Sequence, residues 1–228
     1  MRIAVSGTAC VGKSTFINDF LDNWKDIYKT PDTSYRDILT GSDRPHSKQT
    51  CKDTQIAILN MMVDEHMKHD KKDNVIFDRC PIDNLVYSIH AYENPDSDID
   101  EEFINECIPM IKESMRFIDV LFYIPFDESV KIESNGSRET DTTYIKEIDN
   151  LLAQAEIQSL QPTSVFFHGD DRPAVITLTG SPKERIRQAS LYITDEGESY
   201  NEGESDIDWE ELAKFNITPE DVFPGGRL

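Results

Sequence analysis

The feature that most constrains this 228-residue chain is a run of residues close to its first strand. Residues 7–14 fit the pattern G-x-x-x-x-G-K-[ST] at every fixed position. A short apolar run, Arg2-Ile3-Ala4-Val5-Ser6, precedes the pattern, and apolar residues recur at helical spacing from Phe16 to Trp24 after it. The pattern therefore predicts a turn between a buried strand and a helix, at which phosphate groups bind.

The chemistry of this loop follows from its residue types. Gly7 and Gly12 permit backbone conformations that residues with a Cβ atom resist. The loop amides and the positive end of the helix then bind phosphate oxygens, Lys13 contacts the β- and γ-phosphates, and the Ser14 hydroxyl holds Mg²⁺. We assign nine residues to this ATP site: Gly7, Thr8, Ala9, Cys10, Val11, Gly12, Lys13, Ser14 and Thr15.

A second candidate ligand of Mg²⁺ lies further along the chain. Residues 74–78 read as an apolar strand that ends in the carboxylate of Asp78. This is the pattern of a Walker B strand, whose aspartate contacts Mg²⁺ directly or through water. ATP and Mg²⁺ are therefore the predicted cofactors.

The order of the predicted elements indicates an α/β fold. Strands over 2–6, 26–30, 74–78, 119–124 and 174–178 alternate with helices, so we expect a five-stranded parallel sheet with helices on both faces, a three-layer sandwich. His66 and His69 are assigned to a solvated helix face rather than to a metal site. Residues 1–193 form the predicted core, with a mobile lid at about 127–141. Residues 194–228 form an acidic tail with a short aromatic docking segment.

Composition limits the classes of partner. The net charge of −21 disfavours extended binding to nucleic acid, while a small phosphorylated ligand in a locally basic pocket stays compatible. No apolar run is long enough to span a membrane, and the chain enters a strand at once, so we expect a cytoplasmic protein without a signal peptide. The four widely spaced cysteines are predicted to be reduced thiols. A homodimer is left open.

Three classes of protein share this phosphate loop, and the remaining motifs favour one of them. A GTPase requires a guanine-reading N-K-x-D after a late strand, and the sequence contains none. A motor ATPase usually carries a catalytic glutamate after the Walker B aspartate, whereas Asp78 is followed by Arg79. A kinase requires an acceptor pocket and a lid with arginines, and this chain has candidates for both.

Three runs also carry a family resemblance, at residues 78–87, 135–141 and 178–185. Asp78-Arg79 after an apolar strand resembles the D-R motif of P-loop nucleoside and nucleotide kinases. Together the runs resemble the small ATPase/kinase group that contains the nicotinamide riboside kinase domain of bacterial NAD-synthesis regulators, and phage genomes encode many such kinases. The resemblance covers roughly residues 1–193, and the phosphate loop is its most specific part.

Chemistry and the resemblance together assign roles around the loop. The candidate catalytic residues are Lys13, Asp32, Asp78, Arg79 and Arg138. Arg138, in the lid, either offsets charge on the transferring phosphoryl group or is a plain surface arginine. Arg79 either binds the acceptor or forms a structural ion pair.

The acceptor site is assigned to residues that follow the second predicted strand. Asp32 is either a general base for the acceptor hydroxyl or an aspartate that begins a turn. Tyr35 and Arg36 are predicted to line the acceptor pocket with Arg79. By resemblance only, Arg185 flanks the adenine.

The sequence thus predicts an ATP-dependent kinase that acts on a nucleoside-like or nucleotide-like small molecule. Arg36 and Arg79 favour an acceptor that carries a phosphate, whereas Asp32 favours a neutral hydroxyl. Two alternatives stay open. One is a phage-type kinase that phosphorylates hydroxymethylated pyrimidines in DNA. The other is a nucleotide-gated binding protein without an acceptor.

Overall fold

Four parallel strands form the sheet in the part of the chain that the computed structural model describes, which is residues 1–40, 44–128, 140–159, 161, 163–168 and 171–199. The strands are β1 (Arg2–Ser6), β2 (Val75–Asp78), β3 (Val120–Tyr123) and β4 (Ala174–Thr177), in the order β2-β1-β3-β4. Val5 of β1 pairs with Asp78 on one side and with Phe122 on the other. This register brings the carboxyl ends of β1 and β2 together, where the phosphate loop begins.

The prediction of five strands was wrong for the described residues. The segment expected to form the second strand contributes a single bridge, in which Lys29 pairs with Val75 at the free edge of β2. Asp26 has a left-handed backbone conformation (φ 66°), and Pro31 has no amide hydrogen to donate. Because the turn after the first helix and the proline lie so close together, only one residue between them joins the sheet.

The prediction that helices alternate with the strands is confirmed. The helices are α1 (Lys13–Asn23), α3 (Lys52–Met67), α4 (Pro81–Tyr92), α5 (Glu101–Ser114), α6 (Thr142–Ser159) and α7 (Pro182–Ala189). Helix α7 starts with Ser181 as N-cap and Pro182 in the first turn, and Glu184 completes a capping box. A further helix, α2 (Tyr35–Thr40), carries Tyr35 and Arg36, which were predicted to line the acceptor pocket.

The two faces of the sheet pack against different helices. Ile3 and Val5 point into a core that contains Phe16 and Phe20 of α1 and Trp24, which follows that helix. Ala4, on the opposite face, joins a larger core formed with α3, α4, α5 and α6. Because side chains alternate along a strand, one short strand serves both cores, and the predicted layering of an α/β sandwich is confirmed.

His66 corrects the assignment of the two histidines to a solvated face. Its side chain is buried, its Nδ1 lies 2.9 Å from Ser114 Oγ, and its ring packs against Phe77. Burial lowers the pKa of His66 to about 3, so the ring is neutral. Helix α3 is covered on this side by β2 and α5, which sequence periodicity alone did not indicate.

Residues 194–199 return to the first helix. Trp24 Nε1 donates to the Thr194 carbonyl (2.7 Å), and the Tyr28 hydroxyl donates to the Gly197 carbonyl (2.6 Å). The remainder of the predicted tail, from residue 200, lies outside the described residues, as do residues 129–139 of the predicted lid, with Arg138. None of the described helices is both long and apolar enough to cross a membrane.

Candidate active site

The phosphate loop has the backbone conformation that its two glycines allow. Gly7 has φ 146° and Gly12 has φ 90°, and both lie in the region that side chains disfavour. A Cβ atom on Gly7 would lie 2.5 Å from the carbonyl oxygen of Ile124. The loop therefore packs directly against the end of β3, and α1 begins at Lys13.

Lys13 is held inside the curve of the loop. Its Nζ donates to the carbonyl oxygens of Gly7 (2.8 Å) and Thr8 (2.5 Å), and the residue is only 6% exposed. Burial and, to a lesser extent, the nearby charge of Arg79 lower the pKa of Lys13 to about 7. A phosphate chain in the loop would supply the opposite charge that this ammonium group needs.

Ser14 and Asp78 converge on one point, as their predicted shared role requires. Arg36 Nη2 donates to both of them, at 3.2 Å from Ser14 Oγ and 2.8 Å from Asp78 Oδ2. The other carboxylate oxygen of Asp78 is buried and has no hydrogen-bond partner among the described residues. A hydroxyl and a carboxylate with unused acceptor capacity are the oxygen donors that Mg²⁺ prefers, so these residues fit the ion.

Arg79 lies between two aromatic rings beside the loop. Its guanidinium carbon is 5.2 Å from the ring centroid of Tyr35 and 4.9 Å from that of Tyr87. Nη1 donates to Asp83 Oδ1 (3.1 Å) and Gly7 O (3.3 Å), and Nη2 donates to the Tyr87 hydroxyl (3.1 Å). Burial opposes the charged form of Arg79, but Tyr87, Tyr35 and Asp83 raise its pKa above the usual range, so the side chain stays cationic.

A cavity of about 420 Å³ opens directly from the phosphate loop. The loop and the first turn of α1 supply Ala9, Cys10, Gly12, Lys13, Ser14 and Thr15 to its wall. Tyr35, Arg36 and Arg79 also line it, so the structure brings three of the predicted acceptor residues together with the predicted ATP site. The rest of the wall comes from α2, α3, α4, α6 and the residues before α3: Leu39, Thr40, His46, Ser47, Thr50, Gln55, Ile58, Met62, Asn84, Tyr87 and Tyr144.

Gly7, Thr8, Val11 and Asp78 of the predicted site lie in or beside the loop without lining this cavity, and Asp32 and Arg185 lie away from its wall. Asp32 is exposed and is absent from the cavity wall, because the chain here follows α3, where Thr33 Oγ1 donates to Glu65 Oε1. Arg185 instead reaches the loop from α7, and its Nη1 donates to the Val11 carbonyl (2.7 Å). Its predicted role beside the adenine stays a prediction.

Comparison with known proteins assigns the family. A profile described as an AAA domain matches residues 2–161, which is more than half of the chain. The chain belongs to the AAA-domain family. A comparison of this AAA-domain chain with curated proteins found no match.

Solved structures extend the assignment to the fold. Deoxyadenosine kinase from M. mycoides matches 83% of this AAA-domain chain and 96% of its own, with a TM-score of 0.60 and 17% identity. The NadR protein in complex with NR has a TM-score of 0.59 and 14% identity, and covers 83% of this chain, which spans 50% of NadR. Thymidylate kinase from Candida albicans has a TM-score of 0.52 and 14% identity, over 94% of this chain and 91% of its own. The fold is that of the P-loop nucleoside and nucleotide kinases, as the sequence resemblance predicted.

Three polar residues of this AAA-domain site had no functional role in the sequence-based assignment. Asp83 lies in the first turn of α4, and its Oδ1 accepts from the Gly7 amide (3.3 Å) and from Arg79. Gln55 and Asn84 bond to each other in the cavity wall. Gln55 lies outside the three recognised runs, and Asn84 lies within the run 78–87 but had no assigned role. The packing of α3 against α4 brings the two side chains together.

Cys10 provides a chemical test of this loop. It is partly exposed and lines the cavity, so we expect N-ethylmaleimide to attach at Cys10 and to abolish ATP binding, because the added group fills the phosphate site. Mass spectrometry and ATP binding would be followed in a Cys51→Ser variant, since Cys51 is the other partly exposed cysteine. Mg·ADP should slow the labelling. Equal labelling with and without nucleotide would contradict the assignment.

Proposed function

We propose that this chain is an ATP- and Mg²⁺-dependent kinase that transfers the γ-phosphoryl group to a nucleoside-like or nucleotide-like small molecule. One observation carries the proposal: a single cavity is lined by the phosphate loop, by Arg36 and Arg79, and by amide, apolar and aromatic side chains of α3, α4 and α6. A site for ATP hydrolysis alone has no need of such a wall beside the loop. The kinase fold of the neighbouring structures supports the same conclusion.

The proposed mechanism is mainly positioning and charge stabilisation. Lys13 and the loop amides bind the phosphate chain, and Ser14 and Asp78 hold Mg²⁺, which when bound offsets the negative charge of the phosphates. In this proposal Arg36 leaves Ser14 and Asp78 when the nucleotide binds, and it then contacts the transferring phosphoryl group or a phosphate of the acceptor. Arg138 is proposed to close over the same group from the lid.

No carboxylate lines the described cavity wall, and this bears on the choice of base. Asp78 accepts a hydrogen bond from Arg36, which lines the cavity, so Asp78 lies nearer to the cavity than the exposed Asp32. We therefore propose Asp78, and not Asp32, as the carboxylate nearest the acceptor oxygen. A loose transition state for phosphoryl transfer places little demand on a strong base.

The charges in the cavity wall leave both acceptor types open. Arg79 is paired with Asp83 and enclosed by two tyrosines, so it has little capacity left for a phosphate. The side chain of Arg36 is 52% exposed, and it is the cation in the described wall best placed to meet one. A nucleoside hydroxyl and a monophosphate are both compatible with this arrangement.

The test is ADP release from Mg·ATP against a panel of acceptors. The panel holds nucleosides, nucleoside monophosphates, nicotinamide riboside and DNA with hydroxymethylated pyrimidines, and Lys13→Ala provides the blank. Stimulation by one small molecule is the expected result. Stimulation only by modified DNA would support the phage-type alternative, and ATP binding without any stimulation would support a nucleotide-gated binding protein.

A further inference from the structure

Arg185 reaches the phosphate loop from outside the cavity, and the helix that carries it is firmly packed. It lies on α7, four residues before Ala189, which is fully buried in the same core as Phe16 of α1. Residues four apart share one face of a helix, so Arg185 is held on the face of α7 that packs against this core. The residue is only 7% exposed, and it is absent from the described cavity wall.

The guanidinium group of Arg185 contacts two neighbouring residues of the loop. Nη1 donates to the Val11 carbonyl oxygen (2.7 Å), and a Cβ atom built on Gly12 would lie 3.0 Å from the same nitrogen. The guanidinium group therefore lies directly on the peptide bond between Val11 and Gly12, at a distance that leaves little room for a side chain at position 12. Gly12 also lines the cavity.

The bond to Val11 fixes the direction of a second backbone group. The peptide bonds of the described residues are trans, and in a trans peptide the C=O and the following N–H point in opposite directions. The Val11 carbonyl faces Arg185, outside the cavity wall, so the Gly12 N–H points away from Arg185 and towards the cavity side of the loop. Phosphate-binding loops hold their ligand with backbone N–H groups that point inwards in this way.

The positive charge of Arg185 strengthens this arrangement. Burial lowers the pKa of Arg185, and the charge of Asp127 opposes that shift, but an arginine remains cationic near neutral pH. Among the described residues no ion pair joins Arg185 to a carboxylate, so its charge acts mainly on the peptide that it contacts. A charged donor forms a stronger hydrogen bond than a neutral one, and it polarises the peptide so that the Gly12 N–H becomes a better donor.

We propose that Arg185 is a positioning residue for the phosphate loop. By binding the Val11 carbonyl from outside, it holds the Gly12 N–H towards the phosphate chain of the nucleotide. Arg185 then acts on the phosphates through the backbone, and this role does not require a contact with the adenine. Because Asp83 accepts the Gly7 N–H, the loop is held from α4 at its first residue and from α7 at Val11. This inference rests on the proposed function, since it requires a nucleotide to bind at the loop.

The test separates the phosphates of the nucleotide from its base, and it does not depend on phosphoryl transfer. Calorimetry measures dissociation constants for Mg·ADP and for magnesium tripolyphosphate, which has neither adenine nor ribose. Arg185→Met keeps an apolar stem, and Arg185→Lys keeps the charge and a donor. Arg187→Met is the matched control, because it removes one positive charge from the exposed side of α7. Circular dichroism and thermal unfolding check that each variant is folded.

We expect Arg185→Met to weaken the binding of both ligands by a similar factor, roughly 10- to 100-fold, because a hydrogen bond from a charged donor is lost. Arg185→Lys should recover most of the lost affinity, since a single donor, Nη1, makes the bond to Val11. Arg187→Met should bind both ligands as tightly as wild type. If Arg185→Met does not fold, Arg185→Gln takes its place and should weaken the binding of both ligands equally.

Several results would overturn the inference. A loss of affinity for Mg·ADP alone would show that Arg185 contacts the base and not the loop. Equal losses in Arg185→Met and Arg187→Met would indicate an effect of net charge, and no recovery in Arg185→Lys would indicate a role in packing. Failure of wild type to bind tripolyphosphate would also overturn it. The expected pattern of binding without acceptor-stimulated ADP release would refute the proposed kinase activity and leave the role of Arg185 standing.

Discussion

Replacing Lys13 with alanine is expected to lower the rate of phosphoryl transfer by at least about 10²- to 10³-fold. Lys13 is the buried cation at the centre of the phosphate loop, and its ammonium group is held by the carbonyl oxygens of Gly7 and Thr8. Negative charge on the phosphate chain is redistributed during transfer, and a fixed cation in a water-poor site stabilises that change more than it stabilises the ground state. The measurement is ADP release with the acceptor identified by the panel.

The comparison requires a lysine whose removal changes only surface charge. Lys25 lies exposed in the turn after α1, and Lys25→Ala should retain the wild-type rate. The unfolding temperature of Lys13→Ala should stay close to that of wild type. Burial lowers the pKa of Lys13 to about 7, which means that the charged ammonium group adds little to the stability of the folded protein. A folded Lys13→Ala protein with more than a tenth of the wild-type rate would refute the assignment of this loop to catalysis.

The parts of the candidate site whose local geometry agrees with the sequence-based prediction are those encoded by neighbouring residues. The strand, the two glycines, Lys13 and the following helix occur within about 20 residues, and their backbone geometry needs no distant contact. Asp78 was also predicted from the apolar strand that precedes it. The parallel register of β1 and β2 then places Asp78 near Ser14, which is what the fold class implies.

The errors have a common physical origin in packing between elements. The predicted second strand does not form because only one residue, Lys29, pairs with the edge of the sheet, although the residues around it have a composition typical of a strand. Asp32, which follows that segment and is either a general base or an aspartate that begins a turn, lies outside the described cavity wall because the chain there runs along α3. Local sequence propensity cannot predict either feature, because tertiary contacts decide whether an edge segment pairs with the sheet and where the next loop runs.

The residues that were missed are joined over long distances in sequence. Asp83 contacts Gly7 across 76 positions, and Asn84 contacts Gln55 across 29. Aspartate near the start of a helix is common for reasons of capping alone, so Asp83 carried no distinctive signal. Buried amides such as Gln55 and Asn84 become informative only when their unused donors and acceptors can be counted in the folded protein.

Replacing Asp83 with alanine is expected to lower the free energy of unfolding by about 3–5 kcal/mol. Asp83 is fully buried at the start of α4, and its carboxylate accepts four hydrogen bonds. Oδ1 accepts from Gly7 N and Arg79 Nη1, while Oδ2 accepts from Cys80 N (3.1 Å) and Cys80 Sγ (3.4 Å). The substitution leaves the Arg79 charge buried without its carboxylate, and that uncompensated charge is the largest part of the expected cost.

The loss of unfolding free energy is measured by urea titration, monitored by circular dichroism. Asp22→Ala, on the exposed face of α1, is the control. Asp22→Ala should change the free energy of unfolding by less than about 0.5 kcal/mol. Asp83→Asn keeps an acceptor for the Gly7 amide and removes the charge, so its cost should fall between those of the other two variants. A loss below about 1 kcal/mol in Asp83→Ala would mean that Arg79 is neutralised by other groups.

A double substitution separates the ion pair from the other bonds of Asp83. Arg79→Met removes the guanidinium but retains an apolar side chain between Tyr35 and Tyr87, so Asp83→Ala should cost less in that background than in wild type. We expect the difference to be about 1–3 kcal/mol, because the buried charge is then absent from both sides of the comparison. The cost that remains reports the bonds to Gly7 and Cys80, by which α4 holds the first residue of the phosphate loop in place. Equal costs in the two backgrounds would show that Asp83 stabilises the loop through those bonds and not through Arg79.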